Sequence, residues 1–202
     1  MDIKDTYKTI LKPSKETLFK DKNSKFYSYA FPIKNEEDVK IRIEELKKMH
    51  YSARHWCYAY QLGSETLRYR ANDDGEPNNS AGMPIYGQIQ SYELTNILVV
   101  VVRYFGGVKL GVGGLINAYR NGAQLAIENA EIIEKTIDIQ FKMQFDYKNM
   151  SRVMRILKDY NAVINKQTLE LNCVIYTSIR KSNANDLYDT ISNFHEITIS
   201  KL

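Results

Sequence analysis

The sequence is short of cysteine, proline and glycine, and each shortage limits what this 202-residue chain can be. Its two cysteines, Cys57 and Cys173, lie far apart and form neither a CxxC pair nor another zinc-binding spacing. So few cysteines exclude a disulfide-rich secreted scaffold, and we expect no disulfide in a reducing compartment. Four prolines and ten glycines leave no low-complexity segment, and no internal repeat is present.

Long apolar runs and a strong excess of one charge are also missing. The longest apolar run, Ile97 to Val102, is far shorter than the ~20 residues that a membrane helix needs. The first residues, MDIKDTYKTI, lack the apolar core of a signal peptide, so we expect a cytoplasmic protein. The net charge of +4 divides into +2 up to Lys135 and +2 from Thr136 onward. Any contact with RNA would therefore need a local basic patch.

What the chain does have is an ordinary globular composition and one concentrated motif region. Its 44% hydrophobic and 26% charged residues are typical of folded soluble domains. All its glycines except Gly63 fall between Gly75 and Gly122. Glycine is needed where the backbone turns with positive φ or passes close to another group. We therefore expect this region to hold the unusual backbone geometry and the function.

Two long motifs lie in the region from Asn72 to Tyr119. The first reads DDGEPNNSAGMP, and the second reads VVVRYFGGVKLGVGGLINAY. Together with the upstream SKF at Ser24 to Phe26, they closely resemble the motifs of the YigZ/IMPACT family over roughly residues 15 to 130. The resemblance implies a fold like the second domain of ribosomal protein S5. In bacterial-type members it also implies a small C-terminal domain similar to part of an elongation factor, and it implies a link to translational control.

Periodicity independently predicts an α+β fold. The second half of the chain alternates strictly from Ile137 to Phe145 and then follows the order βαββαβ, which is ferredoxin-like. We expect two domains, residues 1–134 with the S5 domain 2-like fold and residues 135–202 with the ferredoxin-like fold. The strands predicted in the first domain are Thr6 to Leu11, Glu16 to Lys20, Phe26 to Ile33, His55 to Leu62, Thr66 to Ala71 and Asn96 to Phe105, and its helices are 36–48, Met83 to Gln90 and Gly114 to Asn129. We expect Asn35 to cap the first helix, the strand from Asn96 to be central in its sheet because it is apolar on both faces, and Ser182 to precede the last helix of the second domain.

The glycine-rich turn, residues 106–114, joins an apolar strand to a helix and is the first candidate site. Backbone N–H groups at a helix N-terminus attract phosphate, and nearby Lys and Arg would add positive charge. The turn is neither a Walker A loop nor a clean GxGxxG motif. In the alternative interpretation, the glycines only permit a tight crossover and close packing. The candidate anion- or RNA-binding residues are Arg103, Lys109, Gly111, Gly113, Gly114 and Arg120.

The acidic motif loop is the second candidate. Three carboxylates within four residues would suit a divalent cation or an acid–base pair, although the spacing is not that of an EF-hand. We favour a structural loop in which aspartates accept backbone N–H groups and Gly-Glu-Pro sets the turn, with no metal and no catalytic residue. Asn78 and Asn79 stand where family members carry small residues, and Ser80 stands where they carry threonine. The motif-loop residues are Asp73, Asp74, Gly75, Glu76, Pro77 and Ser80.

A histidine–cysteine pair is the third candidate. His55 and Cys57 share one face of a predicted strand, and with His50 they would suggest a metal site or a Cys–His nucleophile. No third group that would orient the histidine can be identified. The neighbouring Trp56 and Tyr58 indicate sheet packing instead, so we expect a structural role.

These observations lead to two expectations about function. The first is a non-catalytic cytoplasmic protein without cofactor that binds RNA, the ribosome or a translation-associated protein. Tyrosines interleaved with Arg and Lys near the motifs would suit stacking on bases and neutralisation of phosphates. The alternative is an enzyme that acts on a phosphorylated or peptide-like small molecule through the DDGEP loop and the glycine-rich turn.

Overall fold

The structure, a computed structural model, describes residues 4–202 and contains two compact units. The larger unit runs from Tyr7 to Lys135. The smaller unit contains Thr136 to Leu202 together with the described residues up to Thr6, which we had placed in the first domain. The Asp5 carboxylate accepts two hydrogen bonds from Arg180, at 2.6 and 3.1 Å. This pairing places the start of the described chain in the smaller unit.

An antiparallel sheet of five strands forms the centre of the larger unit, in the spatial order β2-β3-β6-β4-β5. A separate two-stranded sheet pairs β1 (Thr6–Ile10) with β7 (Ile132–Thr136), a strand that the sequence pattern did not predict. Most side chains of β7 are exposed, so no apolar alternation marks it. The central strands are β2 (Thr17–Asp21), β3 (Ser24–Pro32), β4 (His55–Leu62), β5 (Arg68–Asn72) and β6 (Ile97–Tyr104).

Strand β6 occupies the middle of this sheet, as its apolar sequence predicted. Val99 and Val101 pack on the side of helices α2 (Gly82–Ser91) and α3 (Gly111–Glu128). Val100 packs on the opposite side, against α1 (Glu36–Met49). Because both faces are covered by helices, every residue of β6 except the last is buried.

Local signals explain where the first helix begins and how closely the third one packs. The Asn35 side chain accepts the N–H of Asp38 at 3.0 Å and caps α1, as expected. Helix α3 begins at Gly111, three residues before the predicted start. A Cβ atom at Gly122 would lie 2.7 Å from the Ser28 hydroxyl, so only glycine allows α3 to lie this close to the sheet.

The smaller unit has the predicted ferredoxin-like order. Its four antiparallel strands are arranged β11-β8-β10-β9, with two helices packed on one core. Helix α5 begins at Lys181 rather than after Ser182. The elements are β8 (Asp138–Asp146), a short 3-10 turn (Tyr147–Asn149), α4 (Met150–Asp159), β9 (Val163–Thr168), β10 (Asn172–Arg180), α5 (Lys181–Ser192) and β11 (Ile197–Lys201). The α+β fold class is confirmed.

None of the helices in residues 4–202 combines the length and apolar character required to cross a membrane.

Candidate functional site

Asp73 organises the motif loop and the start of α2. Its Oδ1 accepts the backbone N–H groups of Ala81 and Gly82 at 2.9 and 2.8 Å, and its Oδ2 accepts that of Asn79 at 2.8 Å. Helix α2 has no cap from its own N-cap residue, Ala81. The carboxylate therefore supplies the cap from nine residues away and satisfies N–H groups that a helix leaves unpaired.

Asp74 ties the same loop to strand β4. Its Oδ2 accepts the backbone N–H of Trp56 at 2.7 Å, and its carbonyl accepts His55 Nδ1 at 2.9 Å. The backbone of Asp74 has a φ of 40° and that of Gly75 a φ of 87°. Asn79 is also left-handed, with a φ of 61°, a conformation that asparagine tolerates well. The asparagine at this position therefore preserves the turn.

Glu76 joins the two motifs through a buried ion pair. Its Oε1 accepts Arg103 Nη1 at 2.6 Å and the Tyr119 hydroxyl at 2.8 Å. The side chains of Glu76 and Arg103 are only 5% and 6% exposed. Arg103 Nη2 lies 3.5 Å from the Ser24 hydroxyl oxygen, which also accepts the N–H of Gly106 at 3.1 Å. One hydrogen-bonded network thus fixes the motif loop to the glycine-rich turn.

Two members of this network, Ser24 and Tyr119, were absent from the sequence-derived site. Both lie in family motifs, SKF and GGLINAY, which was the available signal. Desolvation raises the pKa of Tyr119 well above its ordinary value, and the neighbouring Cys57 and Glu76 add to the rise. Tyr119 is therefore a neutral donor to the Glu76 carboxylate.

The remaining motif-loop residues, Pro77 and Ser80, close the loop on itself. The Ser80 hydroxyl and backbone N–H both donate to the Pro77 carbonyl, at 2.6 and 3.0 Å. Ser80 is buried, whereas Pro77 is exposed. The hydroxyl that replaces the family threonine thus makes an internal bond.

The glycine-rich turn differs from the motif loop because it faces solvent. Lys109, Gly111 and Gly113 are exposed, and Gly114 is half-buried. The N-cap residue of α3, Leu110, makes no side-chain cap. Gly111 has a φ of 73°, a conformation that favours glycine. Gly113 has no positive φ, and a Cβ atom added there would meet no neighbouring atom within 4 Å. Neither backbone strain nor packing accounts for glycine at position 113.

The structure does not bring all the predicted cations to this turn. Arg103 is buried beneath it in the ion pair with Glu76, so the expectation that it adds charge at an exposed anion site is not met. Arg120 is exposed but lies nine residues after Gly111, about 13 Å along the helix axis. Lys109 is the predicted cation that stands at the start of α3.

The histidine–cysteine candidate separates into two structural environments. Cys57 is buried, and its thiol donates to the Asp73 carbonyl at 2.9 Å. Burial raises the pKa of this thiol, which disfavours a reactive thiolate. His50 contacts tyrosines of the α1 side instead. Within residues 4–202, no group of three or more His, Cys, Asp or Glu side chains is placed to hold a metal ion.

Comparison with known proteins identifies relatives along the chain. The Impact N-terminal domain matches residues 22–127, which include both motifs. An IMPACT family member from Haemophilus influenzae is 36% identical over 169 residues, which cover 80% of this chain and 81% of that protein. The IMPACT family member YvyE of Bacillus subtilis is 29% identical over 162 residues, covering 80% and 75%.

Structural similarity extends over both units. A crystal structure of a hypothetical protein matches 99% of this chain and 98% of its own, with a TM-score of 0.73 at 23% identity. A likeness at this identity shows the two-unit fold alone. The domain match and the sequence identities carry the classification: this chain belongs to the IMPACT family.

Proposed function

We propose that this chain is a non-catalytic cytoplasmic protein that acts on the translation machinery by binding RNA at the start of α3. The family resemblance implies the link to translation. The choice of RNA over a protein partner is supported by the chemistry of the exposed turn. No cofactor is needed for this role.

The observation that carries the proposal is the exposed, uncapped N-terminus of α3 beside Lys109. The first N–H groups of a helix have no partner within it, and the helix dipole adds a partial positive charge there. A phosphate is the natural partner of such a terminus. Gly113 supports this proposal because the absence of a side chain leaves the backbone open to a close ligand.

The predicted residues take different parts in this proposal. Lys109 and the N–H groups of Gly111 and Gly113, in the first turn of α3, would contact one phosphate. Arg120 would contact a phosphate farther along the strand. Arg103 and the motif loop would hold the turn in shape from beneath, through Glu76.

The enzyme alternative lacks a comparable observation. Asp73 and Asp74 accept backbone N–H groups, and Glu76 neutralises Arg103. A general base or a metal ligand must offer its carboxylate to the substrate or the metal. In this loop the carboxylates are already engaged in holding the fold, so we do not propose catalysis.

The test is a salt titration of binding to a short single-stranded RNA. Affinity should fall steeply with salt because phosphate contacts release counterions. Lys109→Gln should weaken binding and reduce the slope of log affinity against log salt by about one. The matched control is Lys166→Gln, which removes an exposed lysine from the smaller unit and should leave the slope unchanged.

Two results would contradict the proposal. Affinity that is flat between low and physiological salt would exclude phosphate contacts as the source of binding. Equal effects of Lys109→Gln and Lys166→Gln would show that net charge alone matters and that the start of α3 is not the site.

A further inference from the structure

A cavity of about 590 Å³ opens beside the glycine-rich turn, at the end of the main sheet. Three aromatic side chains, Tyr27, Tyr104 and Phe105, line it. Its volume falls within the range of about 300–1,000 Å³ that is typical of small-molecule sites. The cavity lies within the larger unit, and the family motif RYFGG contributes two of its aromatic walls.

Phe105 is the outermost member of a stack. The guanidinium of Arg103 lies 5.6 Å from the ring centroid of Phe26 and 5.5 Å from that of Phe105. Phe26 is fully buried, whereas Phe105 is 55% exposed. The Phe105 ring is therefore supported from within by a cation and remains open to solvent.

This stack is fixed in advance of any ligand. Arg103 cannot move freely because its Nη1 is bound to Glu76 at 2.6 Å in a buried ion pair. A ring held by an immobilised guanidinium loses little conformational freedom when a second ring stacks upon it. The buried network of the motifs thus positions an exposed aromatic surface.

Three residues that line the cavity, Glu16, His50 and Tyr104, belong to one chain of hydrogen bonds. The Tyr29 hydroxyl donates to the Glu16 carboxylate, so its oxygen accepts His50 Nε2–H at 2.6 Å. His50 Nδ1 is then the acceptor of the Tyr104 hydroxyl at 3.0 Å. The Tyr104 hydroxyl thus donates its hydrogen to His50, and its oxygen keeps a lone pair that can accept an N–H group of a ligand.

An exposed lysine and a close backbone contact link the cavity to the turn that carries the proposed phosphate site. Lys25 lines the cavity, and it is exposed. A Cβ at Gly106 would lie 2.1 Å from the Asn23 backbone, so the β2–β3 turn packs directly against the glycine-rich turn. Lys109 follows Gly106 by three residues. We therefore expect a strand of nucleic acid whose phosphate is at α3 to reach the cavity.

We propose that this cavity receives an unpaired nucleobase, which stacks on Phe105, from the RNA whose phosphate is held at α3. The inference rests on the proposed function and adds its base-binding subsite. Stacking on an aromatic ring accepts any base, so the site recognises single-stranded character rather than one sequence.

The test compares Phe105→Leu with Tyr69→Leu, which removes an equally exposed aromatic ring from β5, a strand with no residue in the cavity lining. Phe105→Leu should weaken binding of a short single-stranded RNA by about tenfold, the order expected for one stacked base. The salt slope should stay at the wild-type value because no phosphate contact is removed. Tyr69→Leu should bind like the wild type.

A second measurement uses adenosine, which carries no phosphate. Its addition should shift the NMR signals of the Phe105 ring, and those shifts should be absent for the ring of Tyr69. Shifts with adenosine but no binding of the oligonucleotide would support the base site and overturn the RNA-binding proposal. Oligonucleotide binding that Phe105→Leu leaves unchanged, or the absence of adenosine shifts, would overturn the base site.

Discussion

At the scale of single residues, the three carboxylates of the acidic motif resemble catalytic groups, but each of them binds other groups of the protein. Glu76 and Arg103 are both buried, and burial of two charges is costly unless they pair and find further hydrogen bonds. Tyr119 and Ser24 supply those bonds. Arg103 Nε remains without a protein partner, so the guanidinium is incompletely satisfied. The pair therefore fixes geometry more than it adds net stability.

Removing the charge of Glu76 should show how strongly the larger unit depends on an intact Glu76–Arg103 pair. Glu76→Gln leaves Arg103 buried without a counter-charge, so we expect the free energy of unfolding to fall by about 3 kcal/mol. Urea unfolding followed by fluorescence of Trp56, the single tryptophan, reports on the larger unit. Glu131→Gln, which breaks an exposed pair with Lys12, is the control and should cost well under about 1 kcal/mol. Equal losses of unfolding free energy in Glu76→Gln and Glu131→Gln would contradict this account.

His50 should make the larger unit sensitive to mild acid. Desolvation lowers its pKa below the ordinary value of 6.5, and the negative charge of Glu16 opposes this only in part. The unfolded chain therefore binds a proton more readily than the folded chain. Stability is complete above the unfolded pKa and is lost as the pH falls through it toward the folded pKa.

The measurement is the urea midpoint at about pH 7.5 and about pH 5.5, on either side of the ordinary histidine pKa. The wild type should lose stability between the two values. His50→Gln should show a smaller loss, although it starts from a lower midpoint because its tyrosine partners lose their histidine. His195→Gln, at an exposed position, should lose as much as the wild type. A wild-type midpoint that rises on acidification would refute the assignment.

At the scale of elements, the N-termini of α2 and α3 differ although both follow a family motif. Asp73 satisfies the N–H groups at the start of α2. The N-cap residue of α3, Leu110, provides no such cap, and the start of this helix is rich in glycine. A helix end without a cap is less stable than one with it, and such an end persists at functional sites because a ligand can occupy it.

Two glycines of the turn should respond oppositely to the same substitution. Gly113→Ala adds a methyl group where no atom lies within 4 Å, so the free energy of unfolding should rise by about 0.5–1 kcal/mol. Gly106→Ala places a Cβ 2.1 Å from the Asn23 backbone and should destabilise the larger unit. Urea unfolding checks both, and binding of RNA by Gly113→Ala should weaken despite the gain in stability. A Gly113→Ala protein that is less stable would disprove the helix argument.

At the scale of the whole molecule, the net charge is divided equally between two segments of the chain, whereas the proposed binding sites are not. The segment up to Lys135 and the segment from Thr136 each carry a net charge of +2. Binding governed by net charge would involve both equally. The proposed phosphate and base sites, in contrast, both lie in the larger unit.

Recovery of the tagged full chain from cells should distinguish these cases. We expect ribosomal RNA to accompany the wild type at low salt and to be lost at high salt. The double variant Lys109→Gln, Phe105→Leu should recover much less RNA. Lys158→Gln combined with Lys166→Gln, which removes two exposed charges of the smaller unit, should recover nearly the wild-type amount. A small metabolite in place of RNA would instead favour an enzyme.

The sequence alone was sufficient for features that depend on neighbouring residues. The Asn35 cap, the apolar β6 strand and the alternation from Ile137 to Phe145 were all predicted and are present. Each is encoded within a few residues, because the Asn35 side chain lies within one turn of the N–H group that it accepts and a strand shows its buried faces by a period of two. The family motifs contain only part of the unusual backbone: Asp74, Gly75 and Gly111 have positive φ within them, but Asn23 and Gly63 have it outside.

Tertiary structure alone decided which distant groups meet. Arg103 finds Glu76 and Tyr119 finds the same carboxylate across 27 and 43 residues of sequence. These pairings depend on the register of the sheet and on the packing of α3, which no local pattern contains. The same holds for Asp5, whose partner Arg180 lies 175 residues away. The predicted surface role of Arg103 failed for this reason: a sequence reveals a charge, whereas only the folded chain determines whether that charge faces water or a buried partner.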